Sequence, residues 1–106
     1  MKKVVTYDKL VRDKIPENLE KRGITVITRT ATDKEYITYL KRKLEEEVFE
    51  FLRDSNEEEL ADVLEVIKDI IRENGFTEEQ IEMTRKKKLE EKGGFRKKLI
   101  LERTEE

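Results

Sequence analysis

Between Ile37 and Phe51 the apolar side chains fall at Ile37, Leu40, Leu44, Val48 and Phe51. Steps of three and four residues mark one face of an α-helix. Thr32-Asp33-Lys34-Glu35 just ahead has the capping-box pattern, so the spacing predicts a helix from Thr32 to about Asp54. A second, broader stripe holds Leu60, Val63, Leu64, Val66, Ile67, Ile70 and Ile71; Ser55-Asn56-Glu57-Glu58 opens it as a second box, and it ends near Gly75. Thr77-Glu78-Glu79-Gln80 opens a third long helix, which stops at Gly93-Gly94, glycine being the residue best suited to a left-handed helix end. Ile15-Pro16-Glu17 through Arg22 reads as a short helix with an early proline, closed by Gly23. Ile24-Thr25-Val26-Ile27-Thr28 is β-branched throughout and predicts a strand, with a second from Phe95 to Leu101 that pairs with it as a small ribbon. The expected fold is mainly α: a helix hairpin plus a third helix, with one or two short peripheral strands. No repeat, linker or boundary divides residues 1–106, so a single domain is expected.

Composition narrows the chemistry. Charged residues make up 47% of the 106 and hydrophobic ones 35%, but 24 basic side chains nearly balance 26 acidic ones. Disordered chains combine low hydrophobicity with high net charge, and this chain has helical periodicity instead. A net charge of −2 speaks against a general binder of nucleic-acid polymers. No cysteine and no histidine occur, which removes disulfides, thiolate and imidazole zinc sites, and any histidine general base. Carboxylates, lysine, arginine, tyrosine and hydroxyls remain, and all-oxygen ligation points to magnesium, manganese or calcium. The start carries no apolar signal stretch and no window reaches a membrane span, so a cytoplasmic protein is expected. The Leu60–Ile71 stripe is too wide for one helix partner, so a homodimer or a dimer of dimers is expected.

Two acidic residues break the apolar pattern from inside. On the first long helix Glu47 lies within the stripe beside Leu40 and Leu44, with Glu50 on its flank. On the second, Glu59 falls between Val66 and Ile70 on the helical wheel, and Asp62 borders the stripe. With Ser55 as the turn of an antiparallel hairpin, Glu50 lies five residues before it and Glu59 four after; Glu47 lies eight before and Asp62 seven after. Each pair is also spaced i, i+3 along its own helix, which aims both side chains the same way. Four carboxylates then converge, and without a cation they repel or take up protons. Runs such as Glu45-Glu46-Glu47 and Glu57-Glu58-Glu59 also occur as solvated faces, so the matched heights, more than any single glutamate, carry the expectation.

Glu46-Glu47-Val48-Phe49-Glu50 followed by Glu59-Leu60-Ala61-Asp62 has the form E-E-x-x-E then E-x-x-D. This order resembles the MazG-like all-α nucleotide pyrophosphohydrolases, the group that includes phosphoribosyl-ATP pyrophosphohydrolase. Lys9-Leu10-Val11-Arg12-Asp13-Lys14-Ile15-Pro16 and Lys92-Gly93-Gly94-Phe95 are similar to segments of its small phosphoribosyl-ATP-pyrophosphohydrolase-like branch, so the likeness runs from about Tyr7 to Leu101. The interval between the two acidic motifs is shorter than in many members, which fits a tight turn at Ser55 and leaves subgroup and substrate open.

The resemblance implies that Glu47, Glu50, Glu59 and Asp62 hold Mg2+, with Mn2+ as the alternative, and that Glu46 supports the site or helps to orient or deprotonate water. It implies attack at the α-phosphorus of a nucleoside triphosphate, giving a monophosphate and pyrophosphate, with Glu46 and Glu47 as the catalytic pair. It implies assembly into oligomers as well. Phosphate also needs basic partners: Ile81, Arg85, Lys88 and Lys92 share a face of the third helix, and Lys88 and Lys92 align with basic family positions. Arg12 and Lys14 of the N-terminal motif are the other substrate-binding candidates, although each of these cations also fits a solvated surface. Phe95 reads first as a core anchor, and Tyr36, Tyr39 and Phe49 as packing residues that are also able to touch a base. The rival expectations are action on phosphoribosyl-ATP, and a non-catalytic helical oligomer that binds nucleotide.

Overall fold

Four helices form where the capping and spacing signals place them: α1 (Ile15–Lys21), α2 (Asp33–Asp54), α3 (Glu57–Glu73) and α4 (Glu78–Lys92), in a computed structural model that describes residues 3–106. At the start of α2 the Glu35 amide donates to Thr32 Oγ1 at 3.2 Å, while the Thr32 amide donates to Glu35 Oε1 at 3.1 Å. Two of the donors that every helix start leaves unpaired are thereby satisfied reciprocally. Thr77 and Gln80 repeat the exchange at α4. The start of α3 differs by one residue from the expected box. Asn56, not Ser55, caps it, its Oδ1 accepting from the Glu59 amide at 2.9 Å. Ser55 instead takes a left-handed backbone (φ 49°) that ends α2, its amide donating to the Phe51 carbonyl at 2.7 Å. A two-residue link needs one residue to reverse the chain and one to cap the next helix, and the two roles fall to Ser55 and Asn56 in turn.

That short link lays α3 back along α2, and this pair carries most of the packing between elements. Leu40 (2% exposed), Val63 and Val66 are buried at the contact, with Leu44, Phe51, Ile67, Ile70 and Ile71 half-buried around them. Ile37 and Val48 lie at the margin of the α2 stripe and stay exposed, so the buried line runs through Leu40 and Glu47 instead. After α3, Gly75 turns the chain with φ 77°, and α4 touches α3 alone among the helices. No residue of α4 is buried.

Neither expected strand forms among the described residues: 24–28 and 95–101 run without sheet pairing. Ile27 is 94% exposed and Phe95 96%, so the two segments give each other no surface to bury, and a two-stranded ribbon alone is marginal in water. Lys98 (φ 58°) also interrupts the second segment with a left-handed residue. Phe95 is therefore not the core anchor its type suggested.

The radius of gyration is 19.0 Å and the extents are 66 × 31 × 27 Å. A compact chain of about 100 residues has a radius near 13 Å. The side chains of α4 and the tail after it all face solvent, as do most of those ahead of α2. Among the described residues no helix is long and apolar enough to cross a membrane.

Candidate metal centre

Glu50 ends one turn before the Ser55 reversal and Glu59 sits in the first turn of α3, so the link that closes the helix pair also brings these two acids together. Glu47, one turn further back on α2, joins them. One carboxylate oxygen from each of Glu47, Glu50 and Glu59 lies within 4.8 Å of the others. Glu47 is the buried polar residue of the helix contact, 7% exposed, and its Oε2 has no hydrogen-bond partner. Glu59 Oε2 is likewise buried and unpartnered. A buried acceptor without a donor costs free energy, the more so when charged. At 4.8 Å two unit charges repel by about 3 kcal/mol at an effective dielectric constant of ~20.

Three cations of the chain approach the acids. Lys43 Nζ lies 3.3 Å from both Glu46 Oε2 and Glu47 Oε1. Lys9 Nζ donates to Glu46 Oε1 at 2.8 Å, and Arg12 Nη2 donates to Asp62 Oδ1 at 2.6 Å. The neighbouring Arg53 is bound to Asp54. Among the described residues, five carboxylates (Glu46, Glu47, Glu50, Glu59 and Asp62) thus face three paired cations, and the charge of Arg53 also reaches Glu50 and Glu59. Proton affinities follow that balance. Burial, aided by the charges of Glu50 and Asp62, pushes the Glu47 carboxyl above its usual 4.5 in spite of the hydrogen bond from Lys43. Burial pushes Glu46 upward as well, but hydrogen bonds and charge from Lys9 and Lys43 outweigh it and hold Glu46 below the usual value. Glu47 accordingly holds a proton more readily than Glu46, which is paired with two lysines.

Of the four acids expected to converge, three meet; Asp62 is engaged by Arg12 instead, although its charge reaches Glu47. Arg12 therefore lies at the acids' edge. Lys14 precedes α1 as its N-cap and forms no ion pair among the described residues. Lys88 and Lys92 are exposed on α4, which does not touch α2, so the helix pair and these lysines are not assembled into one site within the chain. Lys43 and Lys9 were not among the expected site residues. Lys43 was legible as the i, i+4 partner of Glu47, whereas nothing in the spacing brings Lys9 to Glu46.

Beside the acids lies a cavity of about 40 Å³ lined by Asp8, Lys9, Leu10, Tyr39, Arg42, Lys43 and Glu46. It has room for water but not for a nucleotide, since ligand pockets measure roughly 300–1,000 Å³. Tyr39 closes one wall, its hydroxyl donating to Asp8 at 2.8 Å.

The donor set fits a hard divalent ion. Glu47, Glu50 and Glu59 each offer a carboxylate oxygen, and two buried oxygens of the cluster have no other partner. No family model matches the chain, and no curated protein or solved structure is found to match it.

A carboxyl with a folded pKa above its unfolded value adds stability that is complete below about 4.5 and is lost as pH rises through the folded value. In metal-free buffer, Glu47→Gln is therefore expected to equal the wild type near pH 4 and to melt a few degrees higher at neutral pH, where about 1 kcal/mol corresponds to ~4–8 °C. Thermal denaturation followed by circular dichroism across that range checks it; a variant clearly less stable than wild type at neutral pH contradicts the charge balance described.

Proposed function

We propose that the chain is a magnesium-dependent nucleotide pyrophosphohydrolase that cuts a nucleoside triphosphate, its base standard or altered, to monophosphate and pyrophosphate. The observation that carries this reading is the meeting of Glu47, Glu50 and Glu59 around unpartnered buried oxygens, on residues that also spell the two acidic motifs. In this reading the fold is the helix hairpin plus third helix of the MazG-like all-α pyrophosphohydrolases. Mg2+, or Mn2+ in its place, is held by Glu47, Glu50 and Glu59, with Asp62 as the fourth ligand. When bound, the ion polarises phosphoryl oxygens and makes water a better nucleophile at neutral pH.

The chain's own groups do the rest. Glu47, beside the ion, takes the proton of the attacking water. Glu46 acts as a positioning residue: its two ion pairs fix Lys43 against Glu47 and Lys9 at the rim. Lys9, Arg12 and Lys43 set positive charge where a triphosphate brings its negative charges. Lys14 stands two residues from Arg12, whereas Lys88 and Lys92, on a helix that does not touch α2, reach the substrate only in an assembly.

Assembly is part of the proposal. The small cavity, the exposed Leu60 and Leu64 on α3, the exposed Phe49 and Leu52 on α2 and the outlying α4 all support a homodimer or dimer of dimers that completes the nucleotide pocket. Sedimentation equilibrium is expected to give two or four times the 12.7 kDa chain mass; a 12.7 kDa species at micromolar concentration counts against it.

Activity is tested by a magnesium-dependent hydrolysis screen over standard and altered triphosphates and phosphoribosyl-ATP, with pyrophosphate and orthophosphate distinguished. Pyrophosphate release is expected, and Glu47→Gln, Glu50→Gln and Glu59→Gln should each lower turnover roughly 10–100-fold or more, since loss of groups that merely support metal ligands commonly costs that much. Full activity in Glu47→Gln overturns the ligand assignment. Absence of turnover on every substrate, with nucleotide binding retained, favours the non-catalytic oligomer.

A further inference from the structure

The segment ahead of α1 has no regular secondary structure, yet it is fastened across the helix pair at three points. Asp8 accepts from the Tyr39 hydroxyl, Lys9 donates to Glu46, and Arg12 donates to Asp62. Two of these contacts place positive charge on acids that flank the three-carboxylate cluster. Only the third involves α3, and it holds the one acid of the expected four that stays outside the cluster. Asp62 lies one turn beyond Glu59 on the same helix, and its charge already acts on Glu47.

A divalent ion and a guanidinium compete for the same carboxylate, because each needs its lone pairs and their like charges repel. Resting on the metal-centre reading above, we infer that Arg12 is a built-in placeholder cation. It neutralises Asp62 while the centre is metal-free and is expelled when a divalent ion recruits Asp62. Expulsion loosens the α3 end of the N-terminal segment, while Lys9 keeps its other end on Glu46. The freed guanidinium then stands at the rim of the acids, carrying the charge and fork geometry that recognise phosphate oxygens. Metal loading and exposure of a phosphate-binding arginine become one linked event.

The test uses Mn2+ and the full chain. Binding of Mn2+ is measured by titration calorimetry, and by electron paramagnetic resonance of the free ion, for wild type, Arg12→Gln and Arg12→Lys. The Arg12 side chain is 55% exposed, so its removal leaves the core intact, which circular dichroism verifies. Arg12→Gln is expected to bind Mn2+ roughly 5-fold or more tightly than wild type, the usual lower bound of a coupling between two binding events. Arg12→Lys, which keeps the charge, should stay closer to wild type. Independently, trypsin cleavage after Arg12 in the wild type should accelerate when Mn2+ is added, while cleavage after Lys97 stays constant and Glu47→Gln shows no metal effect. Mn2+ binding that is unchanged or weakened in Arg12→Gln overturns the placeholder and leaves the metal centre standing. Failure of wild type and both Arg12 variants to bind Mn2+ overturns the metal centre itself, and the placeholder with it.

Discussion

A carboxylate forced into the contact between two helices is the constraint from which the rest follows. Glu47 occupies a position on α2 that packing alone would give to leucine, next to Leu40 and facing the helix that holds Val63 and Val66. Its charge is disfavoured by burial and by Glu50 and Asp62, and Lys43 offsets only part of that. Natural chains place charge in a core only with compensation, and the three acids that meet here could hold a metal ion. The surrounding pairs, Lys9 with Glu46 and Arg12 with Asp62, are what the chain supplies on its own account.

The helices and the acidic cluster were legible because each rests on local rules. Capping boxes at Thr32 and Thr77 set two helix starts to the residue, and the i, i+3 spacing of Glu47 and Glu50 required only the turn at Ser55 to bring Glu59 opposite. What was misread depended on context. Residues 24–28 have the β-branched composition of a strand, but composition does not supply the neighbouring edge a strand needs. The stripe of α2 was drawn with both Glu47 and Val48 in it; Glu47 is buried as expected, whereas Val48 stays exposed at the margin. Asp62 was placed correctly on its helix, but its partner lies fifty residues away in the N-terminal segment, beyond the reach of periodicity.

Elongation bears on function as much as on stability. Among the described residues three hydrophobic side chains are buried, and α4 and the tail face solvent, so many apolar side chains stay uncovered within the chain. The acids lie on one part of the molecule, and the basic run Arg85-Lys86-Lys87-Lys88 lies on a helix that meets only α3. A triphosphate needs both kinds of charge at once. In the proposed assembly, chemistry is supplied by the α2–α3 pair and substrate recognition by elements brought from a neighbouring copy. In that proposal the oligomer, not the single chain, is the active unit.

The most direct measurement is the anomalous scattering of manganese in crystals grown with Mn2+. A metal peak bounded by the carboxylates of Glu47, Glu50 and Glu59, with Asp62 turned toward it, is the expected result. Crystals that show these side chains apart and pointing into solvent, with no manganese between α2 and α3, contradict the central claim.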